Sequence, residues 1–82
     1  MSISDVMEEE RLRRKEERAR KRANRDRRQR NCVLARDKLR SYQEADYLYD
    51  IDSSGRRRTL SHDERADAEA RMRAEVREWC RS

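Results

Sequence analysis

Apolar residues divide the chain into a strongly polar first stretch and a patterned second one. Up to about residue 31 the apolar positions are sparse, and acid-before-base pairs four residues apart recur instead. These pairs are Glu9–Arg13, Glu10–Arg14, Glu16–Arg20 and Glu17–Lys21. Each contributes about 0.2–0.5 kcal/mol to a helix. We therefore predict one long helix over residues 4–43, whose first half projects into solvent or onto a partner because it lacks a core-facing stripe.

Two later segments carry an apolar stripe with helical spacing. In the first helix the stripe begins at Cys32 and continues through Ala35, Leu39 and Tyr42. A second predicted helix, over residues 62–81, has its stripe at Ala68, Met72, Val76 and Cys80, with Trp79 beside it. Ser61 and Glu64 form a capping box at its start, since the serine can cap the helix and the glutamate can reach back.

A short β-hairpin is predicted between the two helices. Tyr47, Tyr49 and Ile51 alternate with mostly polar neighbours, and the sequence Asp-Ser-Ser-Gly at 52–55 then supplies turn chemistry. The single glycine of the chain falls where a positive φ is needed. Residues 56–60 form the return strand, which is short, cationic and suited to an exposed edge.

These elements predict a mostly α fold, in which a long basic N-terminal helix and a short β-hairpin precede a C-terminal helix packed antiparallel on the first. Residues 1–31 form a solvated basic helical arm, and residues 32–82 form a helix–β-hairpin–helix module. Charged residues make up 50% of the 82 residues and hydrophobic ones only 33%. A core this small usually needs a cross-link, a metal or a partner.

The two cysteines bracket the apolar part of the chain, and three interpretations of them are open. Antiparallel helices bring Cys32 and Cys80 to the same end, where a disulfide is geometrically plausible. Two reduced core cysteines are the alternative expected in a reducing compartment. A zinc site using Cys32, His62 and Cys80 is the weakest interpretation, because a structural zinc site needs four ligands.

The positive charge lies on the arm. Residues 1–30 hold 12 Lys/Arg and 7 Asp/Glu, whereas residues 31–82 hold 11 of each, so the whole net charge of +5 belongs to the arm. The basic residues fall on every face of the helix and no aromatic residue interrupts them, so base stacking is not indicated. Such a run is either a solvated, ion-paired helix or a contact surface for a polyanion.

No catalytic or cofactor site is expected. The single histidine, His62, lies in a capped first helical turn, and there is no glycine-rich phosphate loop or nucleophile–base pair to nominate. No apolar run approaches the roughly 20 residues that span a bilayer. The start, MSISDVMEEE, is acidic and does not read as a secretory signal. We expect either a cytoplasmic chain that begins natively at Met1, or one whose signal was removed.

The order of motifs resembles one known family. A charged helix leads into "NCVLARDKL", then "YLYDIDSSGRRRTLSHDER", then a helix ending "VREWC". Over about residues 11–80 this resembles the C-terminal segment of a family of proteobacterial envelope proteins of unknown function, which are catalogued by a small N-terminal β domain that is absent here. The resemblance implies a periplasmic or envelope setting and a disulfide between Cys32 and Cys80. It implies no activity.

The leading functional interpretation is a small non-catalytic interaction protein, an accessory subunit that docks on a larger protein assembly with an acidic or anionic surface. The residues expected to contact that partner are Arg14, Arg18, Arg20, Lys21, Arg22, Arg25, Arg28, Tyr47, Tyr49 and Trp79. The alternative is a cytoplasmic protein that binds RNA or DNA through the arginine-rich helix. A homodimer is also open, since long helices with thin apolar stripes often pair.

Overall fold

The computed structural model describes residues 2–81 and contains two helices joined by a hairpin. Helix α1 runs over Ile3–Glu44, strands β1 and β2 over Tyr49–Ile51 and Arg57–Thr59, and helix α2 over His62–Trp79. The predicted mostly α fold is therefore confirmed, with helix α1 unbroken across the predicted boundary between arm and module. The described chain is elongated, with extents of 69 × 30 × 15 Å.

Side-chain capping defines where each helix begins. The Ser2 hydroxyl accepts a hydrogen bond from the Asp5 N–H at 3.2 Å, and the Asp5 carboxylate accepts one from the Ser2 N–H. The predicted capping box of helix α2 is present, with 3.2 Å from the Glu64 N–H to the Ser61 hydroxyl and 3.0 Å for the return bond. Both boxes satisfy N–H groups that have no partner within the helix.

The two helices pack antiparallel along the predicted apolar stripes, and we call this contact between them the seam. Ala35 and Ala68 are the buried residues of this seam, with 3% and 5% of their surface exposed. The other stripe residues are half-buried: Cys32, Leu39 and Tyr42 on helix α1, and Met72, Val76, Trp79 and Cys80 on helix α2. Because no large side chain in the described residues is fully buried, the apolar contribution to stability is small.

A disulfide joins the two helices at the end of the seam that lies away from the hairpin. The Sγ atoms of Cys32 and Cys80 lie 2.04 Å apart and their Cα atoms 4.8 Å apart. The disulfide interpretation is thus the one the structure bears out, and both sulfurs are unavailable as zinc ligands. The bond joins residues 48 positions apart, so it encloses almost the entire module.

At the near end of the seam an arginine of helix α2 caps the end of helix α1. The Arg65 guanidinium donates to the carbonyls of Tyr42, Ala45 and Asp46 at 2.8, 2.6 and 3.1 Å. Helix α1 has no basic residue in its own last turn. The last carbonyls of a helix lack partners within it. Arg65 therefore supplies, from helix α2, the hydrogen-bond donors that these carbonyls need.

The hairpin forms as predicted, with shorter strands. Tyr49 pairs with Thr59 and Ile51 with Arg57 in antiparallel register. Beyond these strands two further bonds continue the pairing, from the Leu60 N–H to the Leu48 carbonyl at 2.8 Å and from the Asp52 N–H to the Arg56 carbonyl at 2.9 Å. Gly55 has φ 85°, the left-handed conformation that a glycine tolerates without strain.

The Asp52 carboxylate organises the turn of this hairpin. It accepts hydrogen bonds from the Ser54 N–H, the Ser54 hydroxyl and the Arg56 N–H at 2.9, 2.6 and 3.0 Å. These bonds, that of the Ser54 hydroxyl foremost, lower the pKa of Asp52. An aspartate at the first position of a turn commonly bonds to the backbone two residues on.

Removal of the disulfide should destabilise the module strongly. In the chain-entropy account, a bond that closes a loop of this length contributes about 4 kcal/mol. We expect the double variant Cys32→Ser/Cys80→Ser to lose about that much free energy of unfolding, measured by circular dichroism in urea. Oxidised and reduced wild-type protein provide the matched comparison, and equal midpoints for the two would contradict the prediction.

Replacement of Arg65 should loosen the other end of the seam. The variant Arg65→Met keeps the aliphatic contacts but removes the bonds to three carbonyls, so we expect a loss of about 2 kcal/mol in urea unfolding. Arg77→Met is the matched control, because Arg77 lies exposed on the same helix. An equal loss in both variants would show that the capping bonds contribute nothing specific.

Candidate interaction surfaces

The second half of the arm is a dense run of unpaired cations. Residues 18–30 contain eight Lys/Arg and one acid, Asp26. None of these cations forms an ion pair with any other residue in the described part of the chain, whereas Arg11 and Arg14 pair with Glu8 and Glu10 at 2.7 and 3.9 Å. The remaining predicted arm pairs, Glu9–Arg13, Glu16–Arg20 and Glu17–Lys21, are not formed among residues 2–81. The run is therefore not neutralised by ion pairs within residues 2–81.

Three cations of this run share one face of helix α1 with arginines on either side of the run, and we call this face the cationic stripe. The stripe is defined by Arg11, Arg14, Arg18, Arg22, Arg25 and Arg36. Successive members from Arg11 to Arg25 are three or four residues apart. Between Arg25 and Arg36, the two positions on this face are occupied by Gln29 and Cys32. Residues at this spacing share a helix face. The acids between positions 11 and 36 are Glu16, Glu17 and Asp26, and none occupies a stripe position.

The stripe differs from the other faces of the helix in its lack of acids, not in being the sole location of the basic residues. Cations do occur on other faces, as Arg20 does two residues from Arg18, but the acids are excluded from this face. Of the predicted contact residues, Arg14, Arg18, Arg22 and Arg25 belong to the stripe and Lys21 lies beside it. A linear array of like charge that contains no acid presents a stronger field than the same charges mixed with acids.

The stripe passes the disulfide, and at this point the structure brings three predicted residues together. The Arg28 guanidinium lies 6.0 Å from the centroid of the Trp79 ring and donates to the Glu78 carbonyl at 3.3 Å. Arg25 lies beside them in an open cleft that the disulfide also lines. Arg28 therefore packs against helix α2 in a cation–π geometry.

The two predicted tyrosines lie at the other end of the seam. Tyr47, Tyr49 and Ile51 form the hairpin patch, with 57%, 46% and 60% of their surfaces exposed. The tyrosine ring centroids are 6.4 Å apart, and the Arg57 guanidinium lies 4.5 Å from that of Tyr49. Three exposed apolar side chains at alternate positions, two in strand β1 and one just before it, are unusual for a solvated edge and typical of a contact surface. The structure thus separates Trp79 from the tyrosines.

A single arginine holds the hairpin against helix α2. The Arg58 guanidinium lies 2.8 Å from carboxylate oxygens of both Asp50 and Glu64. The bond from Arg58, together with that from the Ser61 N–H, lowers the pKa of Glu64 to about 2, and the pKa of Arg58 is raised. Glu64 thus links the helix cap to the hairpin, which fixes the direction of the hairpin patch.

Several residues of these surfaces were not anticipated from the sequence. Arg36 joins the stripe three helical turns after Arg25, a spacing visible in the sequence once the helix is known to be unbroken. Arg81 reaches the disulfide end by following Cys80. For Arg58 and Arg65 the sequence offers no local signal, because their partners lie on other elements.

A comparison of the chain with protein-family models, curated proteins and solved structures found no match. The resemblance to an envelope family thus rests on the sequence motifs quoted above. In the described part of the chain, no helix is both long enough and apolar enough to cross a membrane.

Acidification should release the hairpin link in a defined pH window. Because the folded-state pKa of Glu64 lies below its usual value of 4.5, its ionised form stabilises the fold above about pH 4.5, and this contribution is lost as the pH falls towards 2. The urea midpoints of wild type and Glu64→Gln should differ at pH 7 and converge towards pH 2. Asp67→Asn, which removes an exposed carboxylate from the same helix, should show a much smaller difference at pH 7. A gap for Glu64→Gln that is constant with pH would refute this link.

Proposed function

We propose that the chain is a small non-catalytic accessory protein that docks on a larger protein assembly with an acidic surface. The observation that carries this proposal is the presence of two exposed surfaces, the cationic stripe and the hairpin patch, on one cross-linked scaffold. The cationic stripe supplies long-range attraction, and the hairpin patch supplies apolar contact area. Electrostatic attraction accelerates association and orients partners, while buried aromatic side chains contribute most of the affinity.

The disulfide supports an extracytoplasmic setting for this docking. Such bonds persist in oxidising compartments, including the bacterial periplasm, and are rare in reducing ones. The resemblance to envelope proteins is consistent with the same setting. We therefore propose the periplasm or envelope as the place where the partner is found.

A second candidate function is binding of RNA or DNA, and the acid-free stripe favours it. Unpaired guanidinium groups along one helix face can follow a phosphate backbone without reading sequence. Such binding weakens steeply with salt, since each neutralised phosphate releases counterions. The hairpin patch would have no evident role in nucleic-acid binding, so we rank this candidate function second.

Photo-crosslinking in cells that naturally make the protein separates the two candidates. Benzoylphenylalanine is placed at Arg22 on the stripe, at Tyr49 on the hairpin patch, and at Arg77 as an exposed control on helix α2. We expect the first two positions to capture the same larger protein and the control not to. The double variant Arg18→Glu/Arg22→Glu should reduce capture at Tyr49 several-fold, because the stripe and the patch act on one partner.

The matched double variant Arg13→Glu/Arg27→Glu makes the same charge change off the stripe, and it should leave capture at Tyr49 nearly unchanged. Recovery of nucleic acid as the main adduct at Arg22, with nothing captured at Tyr49, would overturn the proposal in favour of the second candidate. Capture of unrelated proteins from the two positions would overturn the single-assembly proposal.

A further inference from the structure

The cleft at the disulfide end has the composition of a binding site for an anion that carries an apolar group. It has a volume of about 620 Å³ and is broadly open to solvent. Its lining residues include Arg25, Arg28, Arg36 and Arg81, and no Asp or Glu is among them. A concave site with several convergent polar groups is the usual form of a ligand site.

Two of these four arginines are available to a ligand. Arg28 is engaged with the Glu78 carbonyl and the Trp79 ring, and Arg81 pairs with the Glu78 carboxylate at 2.9 Å. Arg25 and Arg36 form no ion pair with any residue in the described range. Both lie on the cationic stripe, three helical turns apart, which is roughly 16 Å along the helix axis.

The cleft also has an apolar part. Its lining there includes Val33, Trp79 and the disulfide. Val33 is 52% exposed and Trp79 is half-buried, so each leaves apolar surface uncovered. The side-chain amides of Asn24 and Gln29 also line the cleft, and each offers both a hydrogen-bond donor and an acceptor.

We infer that this cleft binds an acidic peptide segment of the partner, with carboxylates on Arg25 and Arg36 and an apolar side chain between them. The inference rests on the proposed function, which makes the partner an acidic protein. At about 3.3 Å per residue, an extended peptide covers the distance between the arginines in about five residues. Guanidinium groups bind carboxylates in paired, charge-assisted bonds, and the amides can meet the peptide backbone.

The same geometry disfavours nucleic acid as the occupant of this cleft. Arg28 already lies over the ring of Trp79, so a base could stack there only after displacing it. Amide groups that both donate and accept are suited to a peptide backbone, whereas a phosphate accepts only. The cleft is therefore better suited to a peptide than to a nucleic acid, although it shares Arg25 and Arg36 with the stripe.

Trp79 makes the inference directly testable, because it is the single tryptophan of the chain and lines the cleft. The probe is a short capped peptide with acidic residues at both ends and one leucine between them, titrated at physiological salt. We expect a saturable change in Trp79 fluorescence. Arg25→Glu and Arg36→Glu should each weaken binding about tenfold or more, through loss of a charge-assisted bond and added repulsion.

Arg27→Glu is the matched control, since it makes the same charge change on another face of the same helix and should alter binding little. Circular dichroism and intact mass establish that each variant is folded and oxidised, and Arg36→Gln serves if the charge reversal prevents folding. Equal weakening by Arg27→Glu would show general electrostatic attraction and overturn the inference.

The remaining outcomes also separate the inference from the proposed function. Equal affinity for a peptide with serine in place of the leucine would remove the apolar contact and overturn the inference. A stronger Trp79 response to a random single-stranded oligonucleotide would overturn it in favour of nucleic acid. If no probe changes Trp79 fluorescence while Arg22 and Tyr49 still capture one larger protein, the cleft assignment fails and the docking proposal stands.

Discussion

The contact between residues 32–42 of helix α1 and residues 68–80 of helix α2 is the constraint on which the rest of the structure depends. Its buried residues are alanines, Ala35 and Ala68, which permit close approach of the helices but bury little apolar area. The seam is therefore fixed at its ends, by the disulfide on one side and by Arg65 on the other. Both devices act between elements far apart in sequence, and both convert a weak apolar contact into a defined antiparallel arrangement.

Because the buried core is so small, much of the molecule is exposed and available for contact. A short seam leaves most of helix α1 as an arm, so the cationic stripe is solvated along its length. The disulfide also brings the end of helix α2 beside the stripe, which places Trp79 among arginines and creates the cleft. At the other end, Arg58 holds the hairpin against Glu64 and so fixes the position of the hairpin patch relative to helix α2. The same contacts thus stabilise the fold and position each proposed surface.

Most of the fold could be predicted from the sequence because its determinants are local. Periodic apolar residues from Cys32 and from Ala68, the capping box at Ser61, and the glycine at 55 each specify structure within a few residues. The sequence did not predict Arg65 or Arg58, since a guanidinium that bonds to a distant carbonyl or carboxylate leaves no periodic trace. The cleft escaped prediction for a related reason: its members come from two helices that only the seam brings together. The acid-free face was visible only once the positions of acids, and not just of bases, were followed around the helix.

The most direct test of this account is an intact mass of the protein isolated from its natural source and alkylated without prior reduction. The account predicts that no alkyl group is added to the monomer, because Cys32 and Cys80 are joined. Such a result would support the extracytoplasmic setting and the geometry of the cleft together. Addition of two alkyl groups would contradict the account, because the seam would then lack its far closure and the protein would belong in a reducing compartment.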